Sequence, residues 1–148
     1  MIDKVIKYAN KEGFTVTRGG KGPSTISWIE ERPYNVPDRI QLKKHNNPTH
    51  ELLDLLHELG HHQIRKNYHA YCAKNPAVAL AEHMEYTQGI MLYKRRKEYG
   101  VETVREEYEA WDKGMQIARK LRINIDSDTY RKYYTKSISS YMQYYGKK

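Results

Sequence analysis

Cysteine is nearly absent from this chain: Cys72 is the only one among 148 residues. No disulfide can form within the chain, and a structural zinc site built on cysteines is not expected. Long apolar stretches are absent too. The longest run of small apolar residues, Ala77 to Ala81, falls far short of a bilayer span. Met1-Ile2-Asp3-Lys4 opens a segment with polar residues at short intervals, which lacks the apolar core of a secretory signal. A soluble, cytoplasmic protein with no membrane partner is expected. Phenylalanine occurs once and tryptophan twice, so the 14 tyrosines supply most of the aromatic surface. Acidic residues are the minority, 18 against 26 basic, for a net charge of +8. Such a charge attracts nucleic acid or acidic proteins, but the excess is spread along the chain. The tightest cluster, Lys94-Arg95-Arg96-Lys97, falls at an expected helix end, where the helix dipole and solvation account for it. Nucleic acid is therefore a less favoured partner than a protein or peptide.

What is present reads as one domain over residues 1–148, with a modest core and elements that bury one face each. Ile2, Val5, Ile6 and Ala9 recur at helical spacing over about residues 2–12, and Gly13 ends that helix. Phe14 to Arg18 alternates as a strand, Gly19 to Pro23 is a turn, and Ser24 to Glu31 is a second strand. Pro33 and Pro37 break the chain before a third strand, Arg39 to Lys43. Asn47 is placed to cap a central helix that starts at Pro48 and runs to about Asn67, faced by Leu52, Leu53, Leu55, Leu56, Leu59 and Ile64. A Tyr/Ala/Lys linker follows. A third helix is expected from Pro76 to about Lys97, a fourth, after Gly100, from Val101 to Arg122, and a last from about Asp128 to Tyr145. There is no internal repeat and no long linker. The order gives an α+β fold: an N-terminal helix and a small three-stranded sheet on the central helix, then three further helices.

The central helix carries His57-Glu58-Leu59-Gly60-His61, the pattern HExxH. Four residues of helix turn ~400°, so both imidazoles point the same way about one turn apart. That spacing lets His57 and His61 bind one Zn²⁺, while Glu58, ~100° to the side, can take a proton from a water activated by the metal. The leucines on either side put the motif in rigid surroundings. Two histidines call for a third protein ligand. The metzincin extension HExxHxxGxxH fails, because Ile64 and Asn67 stand at its glycine and last histidine. His69 and His83 are later histidines that could serve, as in the SprT-like class of DNA-associated proteases. The other candidates are Glu82 and Glu85 on the third helix and Glu106, Glu107 and Glu109 on the fourth. Spacing alone favours Glu82.

Glu107-Tyr108-Glu109-Ala110-Trp111, followed by Gly114, Ile117 and Ala118, resembles the ExxA segment of the ImmA/IrrE-like zinc peptidases and small phage or viral zincins. The resemblance covers residues 52–64 and 106–125 and, loosely, the tyrosine-rich C-terminus. It implies a compact, gluzincin-like (zincin-like) fold in a phage- or virus-related setting. His57, His61 and Glu107 would be ligands and Glu58 the general base. Glu107 lies 46 positions after His61, so the third helix would be an inserted arm.

The remaining candidates have plainer roles. His62, ~100° from His61, is expected at the surface. Asp54 either accepts a hydrogen bond from a ligand ring nitrogen or is a solvated helix charge. His45 and His50 fit a loop and a helix start. Trp111 and the tyrosine stripe fit a core, though Tyr141 or Tyr145 could reach the site as an oxyanion donor. The function expected is a zinc metallopeptidase that holds an extended peptide on an edge strand, either Ser24–Glu31 or Arg39–Lys43. The alternatives are a non-catalytic zinc protein that binds a host protein or nucleic acid, and a DNA-associated protease of the SprT-like class.

Overall fold

The computed structural model describes residues 1–31 and 34–146. Its elements are α1 (Ile2–Lys11), β1 (Thr15–Gly20), β2 (Thr25–Glu31), β3 (Tyr34–Lys43), α2 (Pro48–Arg65), α3 (Tyr68–Lys74), α4 (Pro76–Gln88), a 3₁₀ turn (Leu92–Arg95), α5 (Lys97–Lys120) and α6 (Ser127–Gly146). The fold is α+β. No helix among the described residues is long and apolar enough to cross a membrane.

Gly13 closes α1 as expected. At φ 101° it lets the Phe14 amide reach back to the Ala9 carbonyl at 3.0 Å, the left-handed stop that glycine permits most readily. The chain then enters a sheet of order β1-β3-β2. β1 runs parallel to β3 and β2 antiparallel to it. The expectation that Arg39–Lys43 might be an edge strand is therefore corrected, since β3 is central and β2 is an edge. Pro33 lies outside the described residues. Pro37 does not break the chain but sits inside β3. There the register slips by one, with Ser27 opposite Arg39 and Trp28 opposite Pro37, and β1 pairing begins only at Arg39. The missing amide of Pro37 thus removes no bond to β1, and a bulge takes up the misfit.

α2 runs through the middle of the molecule. The Asn47 side chain accepts from the Thr49 amide at 2.9 Å, and Pro48 opens the first turn. Leu52, Leu55, Leu56 and Leu59 pack with Val5, Ala9 and Phe14 below, with Ile40 and Leu42 of the sheet, and with Ile117, Ala118 and Ile123 on the far side. The helix is covered on more than one face. His62 is consequently buried, at 4% exposure, edge-on to Phe14 at 4.9 Å and 3.5 Å from Glu12. It is not the surface residue expected from a single amphipathic face.

The helical half departs from expectation in its boundaries. The expected linker is α3, capped by the Asn67 side chain on the Ala70 amide at 3.1 Å. α4 stops at Gln88 rather than Lys97, because Gly89 turns left-handed at φ 65° and its amide returns to Glu85. Gly100 lies inside α5, buried against the Tyr145 ring. Four α-helices and a 3₁₀ turn, not three helices, therefore follow α2. Lys94 and Arg95 close the short 3₁₀ turn, while Arg96 and Lys97 open α5, where the helix dipole repels cations. The dipole of a long helix therefore does not explain this cluster. Lys94 pairs with Glu85 and Arg96 stacks over Tyr93 at 4.3 Å.

Candidate metal centre

Two glycines let α2 and α5 touch backbone to backbone. A β-carbon on Gly60 would lie 1.9 Å from the Ala110 carbonyl oxygen, and one on Gly114 would lie 2.7 Å from the Leu56 carbonyl oxygen. Side chains one turn along then meet across a short gap. Glu107, one turn before Ala110, faces His57 and His61.

The three groups converge. His57 Nε2 and His61 Nε2 stand 3.2 Å apart. Glu107 Oε2 is 2.9 Å from His57 Nε2, and Glu107 Oε1 is 3.2 Å from His61 Nε2. All the potential ligand atoms lie within 4.8 Å of one another. A tetrahedral ion with ligand bonds of ~2.0–2.1 Å separates its donors by ~3.3 Å, so these spacings suit one small cation. No donor is well aligned on the buried Glu107 Oε2, although His57 Nε2 stands 2.9 Å away. A buried carboxylate oxygen with no aligned donor is costly unless a cation neutralises it. The group His57-His61-Glu107 could hold a metal ion.

The electrostatics of the cluster agree. Burial pulls the pKa of His57 down. Burial acts the same way on His61, but hydrogen bonds to Glu106 and Glu107 outweigh it and push its pKa up to about 10. The two histidines hold the Glu107 carboxyl well below the usual carboxylate range in spite of its burial. The cluster thus concentrates negative charge and gathers a proton where a cation could sit. Glu58 lies alongside, and burial pushes its pKa up to about 8. The His57 ring stacks on Trp111 at 4.1 Å and 23°. Behind Trp111 stand Tyr130, Tyr133 and Tyr134 of α6, and the Tyr130 hydroxyl donates to the Trp111 carbonyl.

The other candidates are placed elsewhere. Glu106 faces the opposite edge of His61, with Oε2 2.7 Å from Nδ1. Glu82 receives Arg65 at 3.0 Å, Glu85 receives Lys94, and Glu109 receives Lys74 at 3.3 Å. His69 and His83 are exposed on α3 and α4. Neither reading of Asp54 holds. It is half-buried and accepts from Ser24 Oγ at 2.7 Å and Tyr133 Oη at 2.6 Å, with His45 Nε2 at 2.8 Å. His50 packs on the Tyr133 ring at 4.7 Å.

The centre opens onto a cavity of about 300 Å³. Glu58 and both histidines line it from α2, Ser24 lines it from the turn before β2, and Thr25, Ile26 and Trp28 line it from the edge strand β2. Tyr141 of α6 completes a wall. Burial and the neighbouring Glu107 and Glu58 carboxylates raise its pKa above the usual tyrosine value. Of the two tyrosines expected to reach the site, Tyr141 lines the cavity while Tyr145 packs over Gly100. Residue spacing alone did not single out Arg65, Tyr71 or Trp28. The signal for Arg65 was its place one turn beyond His61 on the same helix face. Compared with known proteins, the chain matches no family model, no curated protein and no solved structure.

Proposed function

We propose that this chain is a zinc-dependent hydrolase of peptide bonds with a zincin-like fold, its ion held by His57, His61 and Glu107. The observation that carries the reading is the convergence of those three donors beside a fourth group, Glu58, that lines the same cavity. A closed structural site has no use for Glu58, whereas hydrolysis needs a base there. The donor set of two imidazoles and one carboxylate suits zinc, and it agrees with the resemblance of residues 106–125 to the ExxA segment of ImmA/IrrE-like peptidases.

When bound, zinc supplies positive charge that polarises a carbonyl and makes a water easier to deprotonate. That charge also favours the ionised form of Glu58, which burial alone disfavours. Glu58 takes a proton from the attacking water as the water oxygen bonds to the carbonyl carbon. It gives the proton to the amine as the C–N bond breaks. The Tyr141 hydroxyl, which hydrogen-bonds to Glu107 in the metal-free protein, would donate to the carbonyl oxygen as that oxygen gains charge. β2 pairs only with β3 among the described residues and lines the cavity with its first residues. Its free edge suits an extended peptide added as a strand, which selects a peptide over a small ester or amide.

The test is Glu58→Gln. The variant should retain one zinc per chain and lose turnover of a quenched-fluorescent peptide pool by about 10²- to 10⁴-fold. Hydrolysis at the unmodified rate with zinc in place would remove Glu58 as the base and the peptidase reading with it.

A further inference from the structure

Two adjacent glutamates of α5 address the same imidazole from opposite edges. Glu107 Oε1 lies 3.2 Å from His61 Nε2, and Glu106 Oε2 lies 2.7 Å from His61 Nδ1. Neutral imidazole carries one N–H. An anionic acceptor at Nδ1 draws that hydrogen to Nδ1 and leaves Nε2 with a lone pair aimed at the cluster. Glu106 can do this reliably only if its carboxylate cannot rotate away, and the structure shows why it does not. Arg65 Nε reaches Oε2 and Arg65 Nη2 reaches Oε1, both at 3.1 Å, the two-pronged geometry that fixes a carboxylate plane. The Tyr71 hydroxyl of α3 donates to Oε1. Arg65 is held in turn by Glu82 at 3.0 Å and by the Tyr71 ring, 4.6 Å from its guanidinium carbon. Glu106 as a residue is only 6% exposed, which limits competition from water for these bonds.

His57 is held by other means. Its Nδ1 is buried and meets no hydrogen-bond partner, and its ring is fixed by stacking on Trp111. The two histidines of the motif are therefore not equivalent: one is oriented by packing, the other by a buried carboxylate.

We infer that Glu106 is the positioning residue of the metal centre. It fixes the tautomer and rotation of His61, with Arg65 and Tyr71 as its own supports. The inference rests on the proposed centre of His57, His61 and Glu107. It assigns the neighbouring glutamate a task that does not involve touching the metal or the substrate.

The experiment is zinc affinity by competition with a chromogenic chelator, on the full chain, for wild type, Glu106→Gln and Glu82→Gln. Both substitutions remove a carboxylate that Arg65 binds, but only the first removes the partner of His61. Glu106→Gln should weaken zinc binding 10- to 100-fold, and Glu82→Gln should leave it within about threefold of wild type. Equal affinity in Glu106→Gln and wild type overturns the inference. So does an equal loss in both variants, which would mark a purely structural network. If Glu106→Gln does not fold, Tyr71→Phe carries the test: a several-fold loss of affinity supports the assignment, and unchanged affinity overturns it. A wild type that takes up no zinc, read in the same titration, removes the centre itself and Glu106's role with it.

Discussion

Glu58 is subject to two opposed demands. In the metal-free protein its burial favours the neutral acid, with a pKa of about 8 against an ordinary 4.5, whereas a base must be ionised. The sign of the consequence is definite. The unfolded chain releases the Glu58 proton near pH 4.5, while the folded chain keeps it until about pH 8. The group is neutral in both states at low pH, and folding is progressively penalised as pH rises between the two values. Glu58→Gln removes this penalty. Urea unfolding of the metal-free protein should show the variant gaining stability over wild type between pH 5 and pH 8, by on the order of 3 kcal/mol at the upper end. A gap independent of pH would mean that Glu58 is not buried as described. Tyr141 makes the complementary prediction for the zinc-loaded protein. Tyr141→Phe should lower kcat about 10- to 100-fold with KM little changed, because the donor is needed most when charge develops on the carbonyl oxygen. A change confined to KM would reassign Tyr141 to substrate binding. Residue spacing revealed His57, Glu58 and His61 because a helix converts an interval of four into one face. It did not reveal the burial of His62, since a single-face picture omits the Phe14 and Glu12 layer beneath α2. Nor did it reveal the setting of Asp54, whose partners come from the turn before β2, the loop before α2, and α6.

Between elements, the contact that makes the site is α2 against α5. Gly60, the fourth residue of the motif, has no role at the metal; it is where the α5 backbone passes. A methyl group there would collide with the Ala110 carbonyl oxygen, so the helices would have to separate and take Glu107 with them. Gly60→Ala should destabilise the fold by about 3 kcal/mol and weaken zinc binding, measured by urea unfolding and chelator competition. Because the clash is with backbone, adding Ala110→Gly should not rescue it, and rescue would point to a side-chain contact instead. Three capped elements were legible: α1 with Gly13, α2 with Asn47-Pro48, and α6, where the Asp126 side chain accepts from the Thr129 amide at 2.9 Å. α4 begins at Pro76 as expected, under a cap supplied by α5, where the Glu102 carboxylate accepts from the Ala77 and Val78 amides at 2.9 and 3.2 Å. Other boundaries depart from expectation. Gly100 stays helical beneath Tyr145. α5 ends through Arg122 at φ 57°, with the Ile123 amide on the Ala118 carbonyl, a left-handed stop that residue type does not announce.

At the scale of the whole molecule, one helix organises everything. α2 is the floor of the core for the sheet and α1 on one side and the wall of the candidate metal centre for α5 on the other. α6 closes the structure from outside: its tyrosines brace Trp111 behind His57 at one end and bring Tyr141 to the cavity at the other. The α3–α4 segment, longer than the resemblance leads one to expect, is tied to the centre by the Tyr71 hydroxyl on Glu106. It therefore supports the site rather than merely interrupting the chain between the motif and Glu107.

Zinc at His57, His61 and Glu107 is tested most directly by an anomalous difference map at the zinc edge from crystals of the zinc-loaded protein. One strong peak is expected within bonding distance of His57 Nε2, His61 Nε2 and the Glu107 carboxylate, with a coordination position open towards the cavity and Glu58. No peak at these three residues, or a peak closed by a fourth protein ligand, would contradict it.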